Sequence, residues 1–340
     1  MKAAVYYAGA KGLEVKDVPI PEPAAGEARV KVAACGLCHT DLHYLDHGVP
    51  TFKKPPIILG HEPAGHVDAV GAGVTNVKPG QAVLVPAVLT CGECTLCRTG
   101  RSNICERMQM LGNHIDGAFA EFVCVRARDL VPLPAGLDPV EASIVADAVT
   151  TAFHAVVHRA QVRPGETVAI FGCGGVGLSA VQFAALAGAH VIAVDLDPAK
   201  LALARQLGAA DTVDAKADPE PAKTIKKKTG GGVDKAMECI GSPKVIPVAH
   251  NSIRAGGRLV IVGFADKPVE MLAGKIMFLE QEVIGSLGCR PVDFPRVLEL
   301  CASGKYKLGP LVSSRRPLAQ INESFDELRA GKSVRAVVIP

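Results

Sequence analysis

Cys91, Cys94, Cys97 and Cys105 read C-x2-C-x2-C-x7-C within 15 residues, with Gly92 beside them. Four thiolates on so short a loop are the donor set of a closed tetrahedral zinc site, which leaves no position open for a substrate. A loop of this length buries little apolar surface, so the metal would hold its shape. Disulfides between cysteines two residues apart are strained, and no secretory signal points to an oxidising compartment. The expectation is one structural zinc ion on these four residues.

The stretch Phe171-Gly172-Cys173-Gly174-Gly175-Val176-Gly177 contains G-x-G-x-x-G, between an apolar strand-like run and an Ala-rich helical run. That context turns a weak motif into a dinucleotide loop. Gly172 permits the tight turn, Gly174 lets the backbone approach a pyrophosphate, and Gly177 lets helix and strand pack closely. The helix N-terminus offers free N–H groups to phosphate. Asp195 follows 18 residues after Gly177. Its carboxylate suits the ribose hydroxyls of NAD and repels the 2′-phosphate of NADP, and Lys200 adds a contact to the same ribose.

A third constellation is Cys38-His39-Thr40-Asp41 with Gly60-His61-Glu62. A buried thiol and a core histidine are the plain readings of Cys38 and His61, and two ligands do not make a zinc site. A catalytic zinc needs a third protein ligand and an open position.

The stretch Gly60-His61-Glu62-x2-Gly65-x5-Gly71-x2-Val74, the four-cysteine lobe and the dinucleotide loop occur in one order and spacing. On these the chain resembles the zinc-dependent alcohol dehydrogenases of the medium-chain dehydrogenase/reductase superfamily, over essentially its whole length. The resemblance implies a GroES-like, β-rich catalytic domain and a Rossmann domain, two zinc ions per chain, and NAD(H). Cys38 and His61 become ligands of the catalytic zinc. Where many members place a third cysteine, this chain has Asp147. One thiolate and one carboxylate balance the Zn2+ charge as two thiolates would, although carboxylate is the harder ligand. Glu62 competes with Asp147, or stands behind the ligands or exchanges with water. Asp41 orients His61 through its other ring nitrogen.

The same resemblance implies the reaction, a reversible oxidation of primary or secondary alcohols to aldehydes or ketones. Zinc favours the alkoxide and hydride passes to nicotinamide C4. Thr40 takes the alcohol proton, the nicotinamide ribose passes it on, and His43 delivers it to water. Thr40 and His43 are three residues apart, a spacing that shares one face of a short helix, and an imidazole suits the outer end of such a relay. Val176 packs behind the nicotinamide, Thr151 lies near its ribose or ring, and His39 and Arg335 reach phosphate. Gly241 and Gly263 end late strands at the carboxyl edge of the sheet, where ligands bind in open α/β folds. Thr40, Ala87 and the loop 111–116 line the alcohol pocket.

These residues need elements to hold them. Residues 1–145 carry short strand-like runs at Val30–Ala34, His66–Val70, Ala82–Val88 and Ala120–Val125, broken by Gly and Pro. From Val149 the pattern alternates: strand Thr167–Phe171, helix Val176 to about Ala187, strand Val191–Val194, helix Lys200–Leu207, then strands Asp211–Val213, Lys235–Cys239 and Arg258–Val262. Alternation of this kind implies a doubly wound parallel sheet. Val334–Ile339 reads as a strand returning to the first region. The expected division is 1–148 with 287–340 for the catalytic domain, its zinc lobe at 91–105, and 149–286 for the NAD-binding domain.

Composition excludes several other classes. Of 340 residues, 37 are basic and 34 acidic, a net charge of +3 that is too balanced for nucleic acid. Aromatics are 4% with no Trp, which leaves no stacking platform for bases. No apolar run is long enough to span a membrane. Eleven cysteines without a signal suggest the cytoplasm. The six cysteines outside the zinc sites, Cys35, Cys124, Cys173, Cys239, Cys289 and Cys301, are expected to be buried thiols. A homotetramer, or a dimer, follows from the resemblance. Two other functions compete: a polyol or amino-alcohol dehydrogenase of the same superfamily, and a zinc-stabilised NAD-binding protein without catalysis. Intact Thr40 and His43 speak against the second. A zinc-free quinone reductase would lack the metal-ligand residues that are all present here.

Overall fold

The structure is a computed structural model that describes all 340 residues. The chain divides into two compact units, Met1–Thr150 with Gly288–Pro340, and Thr151–Leu287.

The first unit is built around the strand Glu27–Gly36. It pairs antiparallel with Glu62–Val70, with Phe122–Arg126 and with the C-terminal strand Arg335–Ile339. The sheet extends through Ala82–Leu84 and Val131–Pro132 on one side and Val312–Pro317 on the other. Alternation sets the faces: Ala28, Val30, Val32 and Ala34 are buried, and Lys31 between them is exposed. Their core includes Leu37, Leu42, Leu59 and Val338, with Phe119 and Phe325 packed edge to face at 5.9 Å. The expected strand Ala82–Val88 is two pieces, Ala82–Leu84 and Val88–Leu89. Pro86 lies in the break, and proline has no N–H to give to a ladder.

The second unit holds a six-stranded parallel sheet in the order Asp211–Asp214, His190–Asp195, Thr167–Phe171, Val233–Glu238, Ile253–Ile261, Glu282–Gly285. The chain starts in the middle, at Thr167–Phe171, winds to one side, then returns and winds to the other. That reversal creates the switch point at which doubly wound sheets bind ligands. Ala169, Phe171, Ile192, Val194 and Leu259 form its core with Ile225 from the helix Pro221–Thr229. The Lys226-Lys227-Lys228 run occupies the last turn of that helix, where cations oppose the negative end of the helix dipole.

No single helix is long and apolar enough to cross a membrane. None of the eleven cysteines is in a disulfide. Of the six outside the two clusters, Cys35, Cys173 and Cys301 are buried, whereas Cys124, Cys239 and Cys289 are only partly so, which corrects the expectation for those three. Cys124 lies on a strand against the carbonyl of Pro21, where partial burial still pushes its thiol up to about 11.

Candidate metal centre and cofactor loop

Three strand ends converge in the first unit. Gly36, the last residue of its strand, pairs with Glu62, the first residue of the next. The Leu37 N–H bonds the Ala336 carbonyl at 2.9 Å, so Arg335 starts the third strand alongside. This register brings Cys38, His61, Glu62 and Arg335 together from three distant parts of the sequence. Gly36 is required there: a Cβ would meet the Glu62 carboxylate at 2.1 Å. Asp147 joins from the end of the 3-10 turn Ser143–Ala146, whose Ala146 carbonyl accepts the Ala87 N–H at 3.3 Å.

Ligand atoms of Cys38, His61, Glu62 and Asp147 all lie within 4.8 Å of one another. Asp147 Oδ2 is 3.6 Å from His61 Nε2 and 4.0 Å from Cys38 Sγ. Asp41 Oδ1 faces His61 Nδ1 at 3.5 Å, and its Oδ2 accepts the Cys38 N–H at 3.1 Å. Glu62 Oε1 faces Arg335 Nη2 at 3.1 Å, and Arg335 Nη1 donates to the Leu37 carbonyl at 2.7 Å. Arg335, expected at a pyrophosphate, is 4% exposed and lends its charge to Glu62. Sequence spacing carried no signal for that pairing.

The electrostatics follow from burial and from these neighbours. Burial pushes the Glu62 carboxyl well up, against the pull of Arg335. Burial also opposes the Cys38 thiolate, but Arg335 and His61 outweigh it and hold the thiol below its usual value. Burial disfavours a charged His61, yet Asp41, Asp147 and Cys38 raise its pKa overall. Neither ring nitrogen of His61 makes a hydrogen bond, although the residue is fully buried. Buried polar atoms are normally paired. A thiolate, an imidazole nitrogen and a carboxylate, crowded together with the imidazole unpaired, fit a zinc ion.

Thr40 and His43 lie on the helix His39–Asp46, which starts directly after Cys38. Thr40 Oγ1 is 3.5 Å from Cys38 Sγ. Both side chains are half-buried, and His39 is exposed. Ala87 is buried, and its carbonyl accepts the Leu111 N–H at 3.1 Å, so the loop 111–116 starts next to it.

The four-cysteine lobe is pinched at its base by the paired strands Val88–Leu89 and Gln109–Met110. Arg126 and Arg128 hold its entry through the Thr90 carbonyl. Sulfur–sulfur distances are 3.8 Å for Cys91–Cys97, 3.8 Å for Cys94–Cys105 and 3.4 Å for Cys91–Cys105. Four sulfurs about 2.3 Å from one zinc ion stand roughly 3.8 Å apart, whereas a disulfide needs about 2.05 Å. Amide N–H groups of Glu93 and Cys94 point at Cys91 Sγ from 3.5 and 3.3 Å and pull its thiol down to about 6. Burial pushes the neighbouring Cys97 thiol up to about 12 instead, and it is the sulfur spacings and the four-cysteine donor set that fit zinc.

In the second unit, Gly172 takes φ +92 and Gly174 caps the helix Gly175–Leu186. A Cβ on Gly177 would meet the Gly172 carbonyl at 1.7 Å, so the protein itself demands that glycine. At Gly174 a Cβ would meet no protein atom within 4 Å. The packing of the chain itself therefore does not require glycine there. Asp195 Oδ2 accepts the Cys173 N–H at 2.6 Å, and Oδ1 accepts those of Leu196 and Asp197. Three donors leave part of the carboxylate's acceptor capacity unused. Val176 is half-buried at the helix start, and Lys200 lies on the helix Pro198–Gln206. Thr151, buried, is the first residue of this unit. Gly241 and Gly263 pack on each other so closely that a Cβ on Gly263 would meet the Gly241 nitrogen at 2.0 Å.

Residues 24–135 match the family described as alcohol dehydrogenase GroES-like domain, and residues 175–303 the family described as zinc-binding dehydrogenase. An alcohol dehydrogenase of Geobacillus stearothermophilus is 38% identical over 340 residues, covering 100% of this chain and 99% of the relative. The crystal structure of the alcohol dehydrogenase of the archaeon Aeropyrum pernix superposes with a TM-score of 0.92 at 35% identity, covering all of both chains. A zinc-binding dehydrogenase of Sinorhizobium meliloti 1021, solved with NADP, gives 0.91 at 34% identity, covering 100% of this chain and 99% of the other. The chain belongs to the zinc-dependent alcohol dehydrogenases of the medium-chain dehydrogenase/reductase superfamily.

Proposed function

We propose that this chain reversibly oxidises primary or secondary alcohols with NAD, using zinc held by Cys38, His61 and Asp147. The convergence of those three side chains around an unpaired, fully buried imidazole carries the reading. Asp147 is the third ligand in preference to Glu62, because Glu62 already faces a buried guanidinium at 3.1 Å. The bound metal supplies Lewis acidity, which eases loss of the alcohol proton. NAD supplies the hydride acceptor, held by the loop 172–177 and by Asp195.

The chain's own residues do the rest. Asp41 faces the far nitrogen of His61 and fixes the ring's orientation. Thr40, beside Cys38, takes the alcohol proton at Oγ1. His43, three residues along the same helix, holds the proton on its way to solvent. Arg335 faces the Glu62 carboxyl at 3.1 Å and draws it toward the guanidinium side of the centre. The lobe at 91–105 holds a second zinc ion whose task is structural.

A panel of primary, secondary, aromatic and polyol alcohols, with NADH formation and metal content measured on the same sample, tests this. NADH formation with about two zinc ions per chain is expected. About two zinc ions without turnover on any alcohol would refute the reading and favour a non-catalytic NAD-binding protein.

A further inference from the structure

His43 does not stand alone at the outer end of its helix. Its Nδ1 lies 2.8 Å from Nδ1 of His47, one turn on, with ring centroids 5.0 Å apart. Residues four apart share a helix face. The backbone fixes the pair as well, because the His43 carbonyl accepts the N–H groups of both His47 and Val49, at 3.3 and 3.1 Å. His43 is half-buried and His47 is exposed. The nearest acidic side chain in sequence, Asp46, is taken by Arg329 at 2.7 and 2.9 Å, from the neighbouring helix Ile321–Arg329.

We propose that His47 is the outer proton acceptor of the alcohol-oxidising site, receiving the proton of His43 and handing it to water. The proposal rests on the Thr40–His43 reading above. A hydrogen bond between two Nδ1 atoms needs a proton on one of them. With that proton on His43, its Nε2 carries a lone pair and is the atom able to act as a base. Binding of that proton at Nε2 makes His43 an imidazolium. Its Nδ1–H bond then breaks as an Nδ1–H bond forms on His47, and His47 releases its Nε2 proton to a buffer base. One proton enters, one leaves, and neither ring changes oxidation state. The hydrogen bond now runs from His47 to His43. Protonation of His47 at Nε2, return of its Nδ1 proton to Nδ1 of His43, and loss of the His43 Nε2 proton to water restore the first arrangement at no net cost in protons.

The chemistry explains why two imidazoles are placed in contact at the exposed end of the helix. A half-buried base alone exchanges protons with bulk buffer only as fast as buffer can reach it. A second imidazole in contact with solvent supplies that exit.

The test is single-turnover oxidation of an alcohol by the zinc-loaded, full-length protein with NAD. NADH absorbance and a pH indicator are followed together in the parent, His47→Ala, His47→Gln, His43→Ala and the double variant. His47→Gln keeps an acceptor for the His43 Nδ1–H but cannot carry a proton. Both His47 variants are expected to slow proton release about tenfold, the low end of what a supporting partner of a functional histidine is worth. Their NAD affinity and melting temperature stay unchanged, and added imidazole restores the rate. His43→Ala is slower still, roughly 100-fold, and the double variant no slower than His43→Ala. Parental rates in His47→Ala, or in His47→Gln alone, would overturn the hand-off while leaving the Thr40–His43 reading intact. A double variant slowed by the product of the two single effects would also overturn it. A parental rate in His43→Ala would remove the underlying relay itself, and the proposal with it.

Discussion

Gly174 and Gly177 stand three residues apart in one loop, and alanine at each should do opposite things. At Gly177 the new Cβ would sit 1.7 Å from the Gly172 carbonyl oxygen. A carbon–oxygen contact is comfortable near about 3.3 Å, so loop and helix must part by roughly 1.6 Å. Forced overpacking of this kind costs about 1–3 kcal/mol or more. For a domain of this size that is a fall in melting temperature of roughly 2–12 °C. At Gly174 there is no clash, and φ −78 suits any residue. Losing unfolded-state freedom gains about 0.4–1 kcal/mol, and alanine, a poorer N-cap than glycine, gives roughly 0.3–1.5 kcal/mol back. Gly174→Ala should therefore melt within about 1 kcal/mol of the parent. Its methyl would point into the space left for a pyrophosphate, where the same overpacking weakens NAD binding roughly 5- to 150-fold. Thermal melting and NADH fluorescence titration on both variants decide the matter. Parental NAD affinity in Gly174→Ala would mean that no phosphate crosses the loop there. A large loss of stability in Gly174→Ala would mean that the packing account is wrong.

Other consequences follow from the two sites. Asp147→Ala should release one of about two zinc ions, with a loss of alcohol oxidation beyond the roughly 100-fold that losing a mere supporting partner costs; full retention of both metals, by elemental analysis, would move the third ligand to Glu62. Asp195→Asn keeps the shape of the side chain and removes its charge. Two like charges about 4 Å apart repel by about 1 kcal/mol in water and about 4 kcal/mol near a protein surface, so the NADP-to-NAD ratio of kcat/KM should rise roughly five- to a thousandfold; an unchanged ratio would show that the carboxylate does not face the 2′ position. His250 is 3% exposed, and burial, with Lys275 nearby, lowers its pKa below 6.5. The unfolded chain therefore takes up a proton there before the folded one does. The stability it contributes is present above about pH 6.5 and is lost as pH falls toward the lower folded value. His250→Leu should flatten the urea midpoint between about pH 7 and 5, and an equal slope in both proteins would refute the assignment.

Much of the molecule is legible because its chemistry is local. The cysteine lobe is closed by residues 91–105 alone, so spacing suffices to read it, and its sulfurs do stand at zinc-like distances. The alternation after Val149 is local too, and each expected strand reappears, from Thr167–Phe171 to Ile253–Ile261. Ala82–Val88 misled because its apolar pattern outweighed Pro86, whose missing N–H ends the ladder. The His43–His47 contact was open to sequence as an i, i+4 pair on a short helix, but the spacing alone does not say that the rings meet through their Nδ1 atoms.

What the sequence by itself determined is which residues are able to bind metal, phosphate or a proton, since those capacities belong to side chains and to short spacings. What the tertiary structure decided is which of them meet. Asp147 comes to Cys38 across 109 residues and Arg335 to Leu37 across 298. The second encounter depends on the register that sets Gly36 opposite Glu62 and opposite Val337, and the first on the turn that ends at Asp147. A strand slipped by one residue would turn every side chain to the other face. Register is fixed by the burial of whole sheet faces, a property of the folded chain and of no segment within it.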